Sequence, residues 1–176
     1  MSKAKTKKID VLLSDLFSAK EETVLKALTK VPQEGNSKFI IPLLKAFKEW
    51  EGSPQIRSKV ESILKQLKSE SAVTELITAL EDPEFEEQRA LIISAFWNSG
   101  IFPENDVDVL VKQAIRGDYM VALEAITVIE NIEAEMDHDM LQDAIFDLDE
   151  ALDSEEMEHT PLLIELKKLL TQLYNI

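Results

Sequence analysis

The sequence predicts an all-α protein, an α-solenoid of about five antiparallel helix pairs, and two observations carry that prediction. The first is a helical pattern that returns roughly every 31 to 35 residues. Leu12-Leu13, Leu43-Leu44, Leu76-Ile77 and Leu110-Val111 each open the apolar stripe of a first helix. A turn and a second stripe follow, at Val24/Leu28, Val60/Leu64, Ala90/Ile93 and Ala122/Ile126. The second observation is compositional: four glycines and six prolines in 176 residues leave little punctuation for a many-turned β protein. Strict apolar/polar alternation is also absent. A helix pair patterned this way cannot bury its apolar face alone, so successive pairs must stack.

Each element has a local reason. Residues 1–8 read as a solvated, frayed basic tail, and 9–176 as a single domain with an acidic cap over about 133–176. The first helix is expected from about Ile9 to Phe17. Ser18 and Glu21 have capping-box spacing and open a second helix, which Pro32 and Gly35 close near Val31. Asn36-Ser37 starts a third helix that runs to Trp50. Ser53-Pro54 is an N-cap followed by proline at the first helical position, where the missing amide costs nothing. That fourth helix carries Ile56, Val60, Ile63, Leu64 and Leu67, and the fifth spans Ser71 to Glu81. Asp82-Pro83 repeats the cap-plus-proline start of a sixth helix, which Gly100 ends in a left-handed cap.

Asn105 and Asp108 bracket the start of the seventh helix, and Gly117-Asp118 separates it from an eighth that runs to about Ile132. A ninth, very acidic helix covers about His138 to Leu152, and Ser154 to His159 is the most linker-like internal segment. Thr160-Pro161 opens the tenth, with Leu162, Leu163, Leu166, Leu169, Leu170 and Leu173 on its apolar side. The stretches Ala90–Trp97 and Val121–Ile129 are apolar around most of their circumference. Such helices are buried on several sides, or present an apolar groove to a partner helix.

Charge is strongly asymmetric. Residues 1–70 carry 14 Lys/Arg against 9 Asp/Glu, or +5, and residues 71–176 carry 5 against 25, or −20. Gly117 to Leu166 holds 16 acidic residues and neither Lys nor Arg. The ordinary reading is a self-repelling end cap; the functional one is a docking surface for a basic partner, with salt-sensitive association. Cysteine is absent, which excludes disulfides, thiol nucleophiles and thiolate metal sites. Asp10, Ser14 and Asp15 interrupt the stretch after the basic start, so no signal-peptide core is expected, and no window approaches 18 apolar residues. No membrane association is expected, and a cytoplasmic location follows by exclusion.

The turn Glu51-Gly-Ser-Pro-Gln-Ile-Arg57, the following Ser58–Leu64 helix, and Leu80-Glu-Asp-Pro83 with Arg89, Ala90 and Leu91 resemble HEAT repeats over about residues 38–132. The first unit departs from the pattern, with Leu25 after Val24 where Arg is usual, and the fifth unit has no turn motif. The resemblance implies a right-handed superhelix. It also implies an Asp–Arg ladder between repeats, for which Glu51/Arg57 and Asp82/Arg89 are the candidates. Second helices would then line a concave face offering Lys26, Lys59, Gln66, Arg89, Glu124 and Asn131 to a protein partner. Asp139, Asp143, Asp147 and Glu150 on the acidic end form a second candidate contact.

Chemistry is weaker. Asp137-His-Asp139 and Asp147-Leu-Asp149-Glu150 invite a calcium reading, but the EF-hand's third ligand and its glycine are held by Leu141 and Gln142, or by Ala151 and Leu152. His138 and His159 lack zinc spacing and read as surface or linker residues. No phosphate loop or nucleophile elbow occurs, so no catalytic, metal or cofactor site is expected. HEAT-like enzymes, namely DNA glycosylase-like and chromophore lyase-like proteins, remain the alternative. Against nucleic acid stands the −20 half, which opposes phosphate binding; Trp50 and Trp97 read as packing or capping residues. The reading is a non-catalytic scaffold or adaptor for a protein partner, monomeric or weakly self-associating. A self-assembling structural protein is the remaining alternative.

Overall fold

The computed structural model describes residues 3–34, 37–154 and 157–175, and gives only the backbone at 3–6 and 33–34. Within them lie ten α-helices and no strand, so the all-α expectation holds. The chain divides into two compact units, Met1–Leu76 and Ile77–Ile176, where a single domain over 9–176 was expected.

The first unit contains α1 (Lys3–Leu16), α2 (Glu21–Glu34), a 3₁₀ turn (Ser37–Phe39), α3 (Ile40–Glu49) and α4 (Pro54–Leu64). Helix α1 packs on α2 and α3 on α4; α1 also contacts α3, and α2 contacts α4. Two hairpins therefore stack first helix on first helix and second on second. The seam is dry: Leu12, Leu16, Val24, Leu28, Ile40, Leu44, Val60 and Leu64 are all buried. Fully burying a side chain of this size contributes about 1.5–3 kcal/mol.

Helix α5 (Ser71–Glu81) lies across the boundary of the units. The second unit continues with a 3₁₀ stretch (Pro83–Gln88), α6 (Arg89–Ser99), α7 (Val107–Arg116), α8 (Tyr119–Glu130), α9 (His138–Ser154) and α10 (Thr160–Tyr174). The hairpin arrangement recurs: α7 packs on α8 and α9 on α10, while α7 contacts α9 and α8 contacts α10. Helix α6 adds a third neighbour to α8. That explains the apolar circumference of α8, in which Val121, Ala122, Ala125, Ile126, Val128 and Ile129 are buried. In α6 the same composition is only partly enclosed, since Trp97 remains 40% exposed.

Several local expectations meet the geometry. Ser53 is extended and accepts a hydrogen bond from the Ile56 amide at 3.3 Å, with Pro54 at the first helical position. Asp118 caps α8 through the Val121 amide at 2.9 Å. Gly100 adopts φ +70°, the left-handed cap that favours glycine. Gly117 has a different reason: a Cβ there would sit 2.8 Å from the Gln113 carbonyl oxygen and 2.6 Å from Val121 Cβ.

Others are corrected. Helix α1 begins at Lys3, not Ile9, because Lys3–Lys8 contains no glycine or proline to stop a helix; Met1 and Ser2 lie outside the described residues. The Ser18–Glu21 capping box does not form. Ser18 Oγ accepts from the Lys20 amide at 3.2 Å, and Glu21 Oε1 accepts from the Ser53 hydroxyl of the next hairpin at 2.5 Å. Helix α2 continues through Pro32 to Glu34, since a proline in the last turn removes only one backbone bond; Gly35 and Asn36 lie outside the described residues. Helix α4 stops at Leu64, short of Leu67.

Neither ladder pair forms. Arg57 lies over the Phe47 ring, 3.9 Å from its centroid, as a cation–π contact. Asp82 accepts from the Glu84 amide at 2.9 Å. Six residues of 3₁₀ helix, kinked at buried Phe85, then separate it from Arg89, which pairs with Glu86 at 3.3 Å. Of the two histidines, His138 is exposed and its ring lies 5.1 Å from that of Tyr174. His159 is buried just before α10, where its backbone carbonyl accepts the amides of Leu162 and Leu163. His159 thus lies in the connection between α9 and α10, as the linker reading has it, but is buried rather than at the surface; Glu155 and Glu156 of that segment lie outside the described residues.

Ile93→Asp or Ile126→Asp should abolish cooperative thermal unfolding followed by circular dichroism, since an unpaired charge would enter a dry helix junction. Ser53→Ala removes both the cap and the inter-hairpin bond to Glu21. It should cost about 1–2 kcal/mol in urea unfolding, against a negligible loss for exposed Ser58→Ala.

Candidate functional site

The ten candidate residues fall into three groups, and only one of them encloses a recess. In the first unit Lys26 and Lys59 project from the second helices α2 and α4, and Gln66 follows α4; all three are exposed. Lys26 pairs with Glu22 one turn earlier at 2.6 Å, and that ammonium holds the Glu22 carboxyl below its ordinary range. Lys59 Nζ reaches across the stacked hairpins to Thr29 Oγ1 at 3.4 Å. Gln66 donates to Ser62 at 3.2 Å. Lys26 and Lys59 thus mark the α2/α4 face, but their contacts are local ones that a solvated surface makes.

In the second unit Glu124 on α8 accepts a hydrogen bond from the indole N–H of Trp97 on α6 at 2.7 Å. This joins two second helices on one face and fixes a partly exposed indole; neither Trp97 nor Glu124, 27 residues apart, signals the pairing by local spacing. Asn131 closes α8 by donating to the Thr127 carbonyl at 2.8 Å, an end-of-helix role. Arg89 is mostly buried beside Glu86, and its Nε has no partner. Arg89 is therefore largely withdrawn from any groove.

The third group lies on α9, where Asp139, Asp143, Asp147 and Glu150 follow helical spacing on one side. The structure adds the facing wall. Asp143, Asp147 and Met140 from α9, with Asp137 before it, meet Asn105, Asp108 and Lys112 from α7 and its approach across a cleft of about 450 Å³. Asp139 and Glu150 lie on the same helix outside that lining. Four aspartates oppose one lysine here, so the cleft is negative by three charges. Lys112 is already engaged: its ammonium donates to Asp108 Oδ2 at 2.8 Å. That hydrogen bond, helped by the charges of Asp108, Asp147 and Glu81, pushes the Lys112 pKa up against the effect of burial. Asp108 and Lys112 are four residues apart, the spacing of a helical ion pair, which is the signal that could have found this wall.

At the cleft's edge Asp106 precedes α7. Burial, together with the charges of Asp108, Glu81 and Glu104, raises its pKa above the ordinary aspartate value. Asp137, which the calcium reading had singled out, is used locally and caps α9 through the Met140 amide at 2.9 Å. Among the described residues no three His, Asp or Glu side chains are grouped to hold a metal ion. No helix among them is long and apolar enough to cross a membrane. No protein-family model and no curated protein matches this chain.

The sign of the Asp106 effect is fixed. A carboxyl whose folded pKa is raised opposes folding once it ionises, so stability falls as pH rises through and above the aspartate range. Asp106→Asn should therefore raise the melting temperature at pH 7, since the Asp106 side chain makes no cap hydrogen bond to α7 that the substitution would lose. The gain should vanish below about pH 3.5, where both states carry the proton. Thermal melts across that range measure it.

Proposed function

We propose that this chain is a non-catalytic binding module, a HEAT-like right-handed α-solenoid, which docks a lysine- or arginine-rich segment of a protein partner on its acidic second unit. The observation that carries the reading is the α7/α9 cleft. Four aspartates line it, its one ammonium is satisfied by Asp108, and five of its seven lining residues stand on helices α7 and α9. A cleft of one sign raises the local concentration of the opposite charge and speeds association. The solenoid reading is supported by the repeated contact pattern, first helix on first and second on second, within each unit. The Trp97–Glu124 face offers a second, less polar surface for the same partner, because a fixed, partly exposed indole is a common anchor in protein interfaces.

The enzyme alternative has less support. The carboxylates of the cleft line one open recess without a histidine or a nucleophilic hydroxyl beside them. A DNA glycosylase-like role would require phosphate contacts, and the unit from Ile77 onward carries 5 Lys/Arg against 24 Asp/Glu. A cytoplasmic setting is part of the proposal.

A fluorescent oligo-lysine peptide should bind the intact protein, with affinity falling steeply as salt rises. Asp143→Asn with Asp147→Asn should weaken binding roughly 10-fold or more, corresponding to about 1.4 kcal/mol. Lys112→Gln should strengthen it. Salt-independent binding, or an unaltered affinity in the double variant, would remove the cleft from the reading.

A further inference from the structure

Each unit also carries a surface on which charge and exposed apolar area coincide, and the two surfaces are opposites, the one in the second unit sharing Asp143 with the cleft. In the first unit Lys7, Lys8, Val11, Leu12 and Asp15 of α1 and Lys30 of α2 line a recess of about 390 Å³. Three lysines against one aspartate leave its rim positive, and Val11, 53% exposed, supplies an apolar floor at its mouth. In the second unit the outward side of α9 carries Asp139, Asp143, Phe146, Glu150 and Asp153, all exposed. Their spacing of four, three, four and three residues places them along one line of the helix. Phe146 is 60% exposed, the most exposed large apolar side chain among the described residues, and stands in the middle of four carboxylates.

We infer that the acidic α9 stripe of one molecule docks into the basic α1/α2 recess of a second copy, with Phe146 seated against Val11 and the carboxylates on Lys7 and Lys30. The inference rests on reading the chain as a binding module, and it names the partner of the α9 stripe. Charge complementarity selects the pairing. An α9-to-α9 contact would cover Phe146 but would press two sets of four carboxylates together, which is unfavourable at short range. An α1-to-α1 contact has the same defect with lysines. Only the mixed contact buries both apolar residues and pairs unlike charges. The units bear +4 (14 Lys/Arg, 10 Asp/Glu) and −19 (5 against 24), so the first unit of one molecule and the second unit of another attract. At about 0.15 M ionic strength the screening length is about 8 Å, so the contacting surfaces outweigh the overall net charge of −15. A contact between two different surfaces repeats from molecule to molecule, and builds closed rings of two or more copies or open chains.

Sedimentation velocity of the intact protein tests this, with variants confined to exposed positions and their folding checked by circular dichroism. The wild type should associate with rising concentration at about 0.1 M salt and dissociate at about 0.5 M. Phe146→Ser blocks the stripe, and Lys7→Glu with Lys30→Glu blocks the recess; each variant alone should be monomeric. Mixed together, they should form one species of about 40 kDa, twice the 19.9 kDa chain, and nothing larger. Failure of the mixture to pair, or a Phe146→Ser protein that still assembles alone, would overturn the inference. A wild type that stays monomeric yet binds oligo-lysine overturns only this inference, whereas loss of both overturns the binding-module reading as well. Oligo-lysine binding by the Lys7→Glu, Lys30→Glu variant should match the wild type, because its α7/α9 cleft is untouched.

Discussion

The structure depends on one constraint: a two-helix hairpin with a single apolar side has nowhere to put it except against another hairpin. Both units meet the constraint in the same way, by laying second helix on second helix and first on first. Helix α8 shows its strength. Packed by α6, α7 and α10, it needs apolar residues on nearly every side, and its sequence from Val121 to Ile129 supplies them with only Glu124 and Thr127 as polar interruptions. Polar links between helix pairs include Ser53 to Glu21, Lys59 to Thr29 and Trp97 to Glu124. They set register along a seam whose stability comes from burial.

Because the apolar residues are committed to the seams, the remaining sides are free to vary in charge, and they do so in opposite directions. The α7/α9 cleft exists because two first helices stack, and their outward residues are aspartates on both walls. Lys112 relieves part of the repulsion within the fold, while beside the cleft Asp106 has its pKa raised first by burial and then by the charges of Asp108, Glu81 and Glu104. Holding like charges in a folded recess stores unfavourable energy that a cationic partner would release. This is the physical link between the acidic composition and the proposed binding role.

The helices were largely legible in the sequence because their boundaries are written in caps and their faces in periodicity. Ser53-Pro54, Asp118 and Gly100 do what their residue types demand. The misses share a cause, which is competition from outside the local segment. Glu21 has capping-box spacing, yet Ser53 of the next hairpin takes its carboxylate. Asp82 and Arg89 have ladder spacing, yet burial of Phe85 inserts a 3₁₀ stretch between them. For the candidate site, the acidic side of α9 was readable from spacing alone. Its opposing wall on α7 was not, because which helix faces α9 is decided by packing. The exposed Phe146 was hidden in the same way: a phenylalanine in an amphipathic helix is normally assigned to the core.

The central claim is that acidic charge in the second unit is organised into a receptor for cationic segments, rather than spread as a solvating coat. Amide chemical-shift mapping by ¹H–¹⁵N correlation spectroscopy during titration with oligo-lysine tests it most directly. A receptor of this kind should give saturable shifts concentrated on the residues lining the α7/α9 cleft, from Asn105 to Lys112 and from Asp137 to Asp147. Small, non-saturating shifts distributed over every acidic segment of the chain would contradict it, and would reduce the acidic half to a means of keeping the protein in solution.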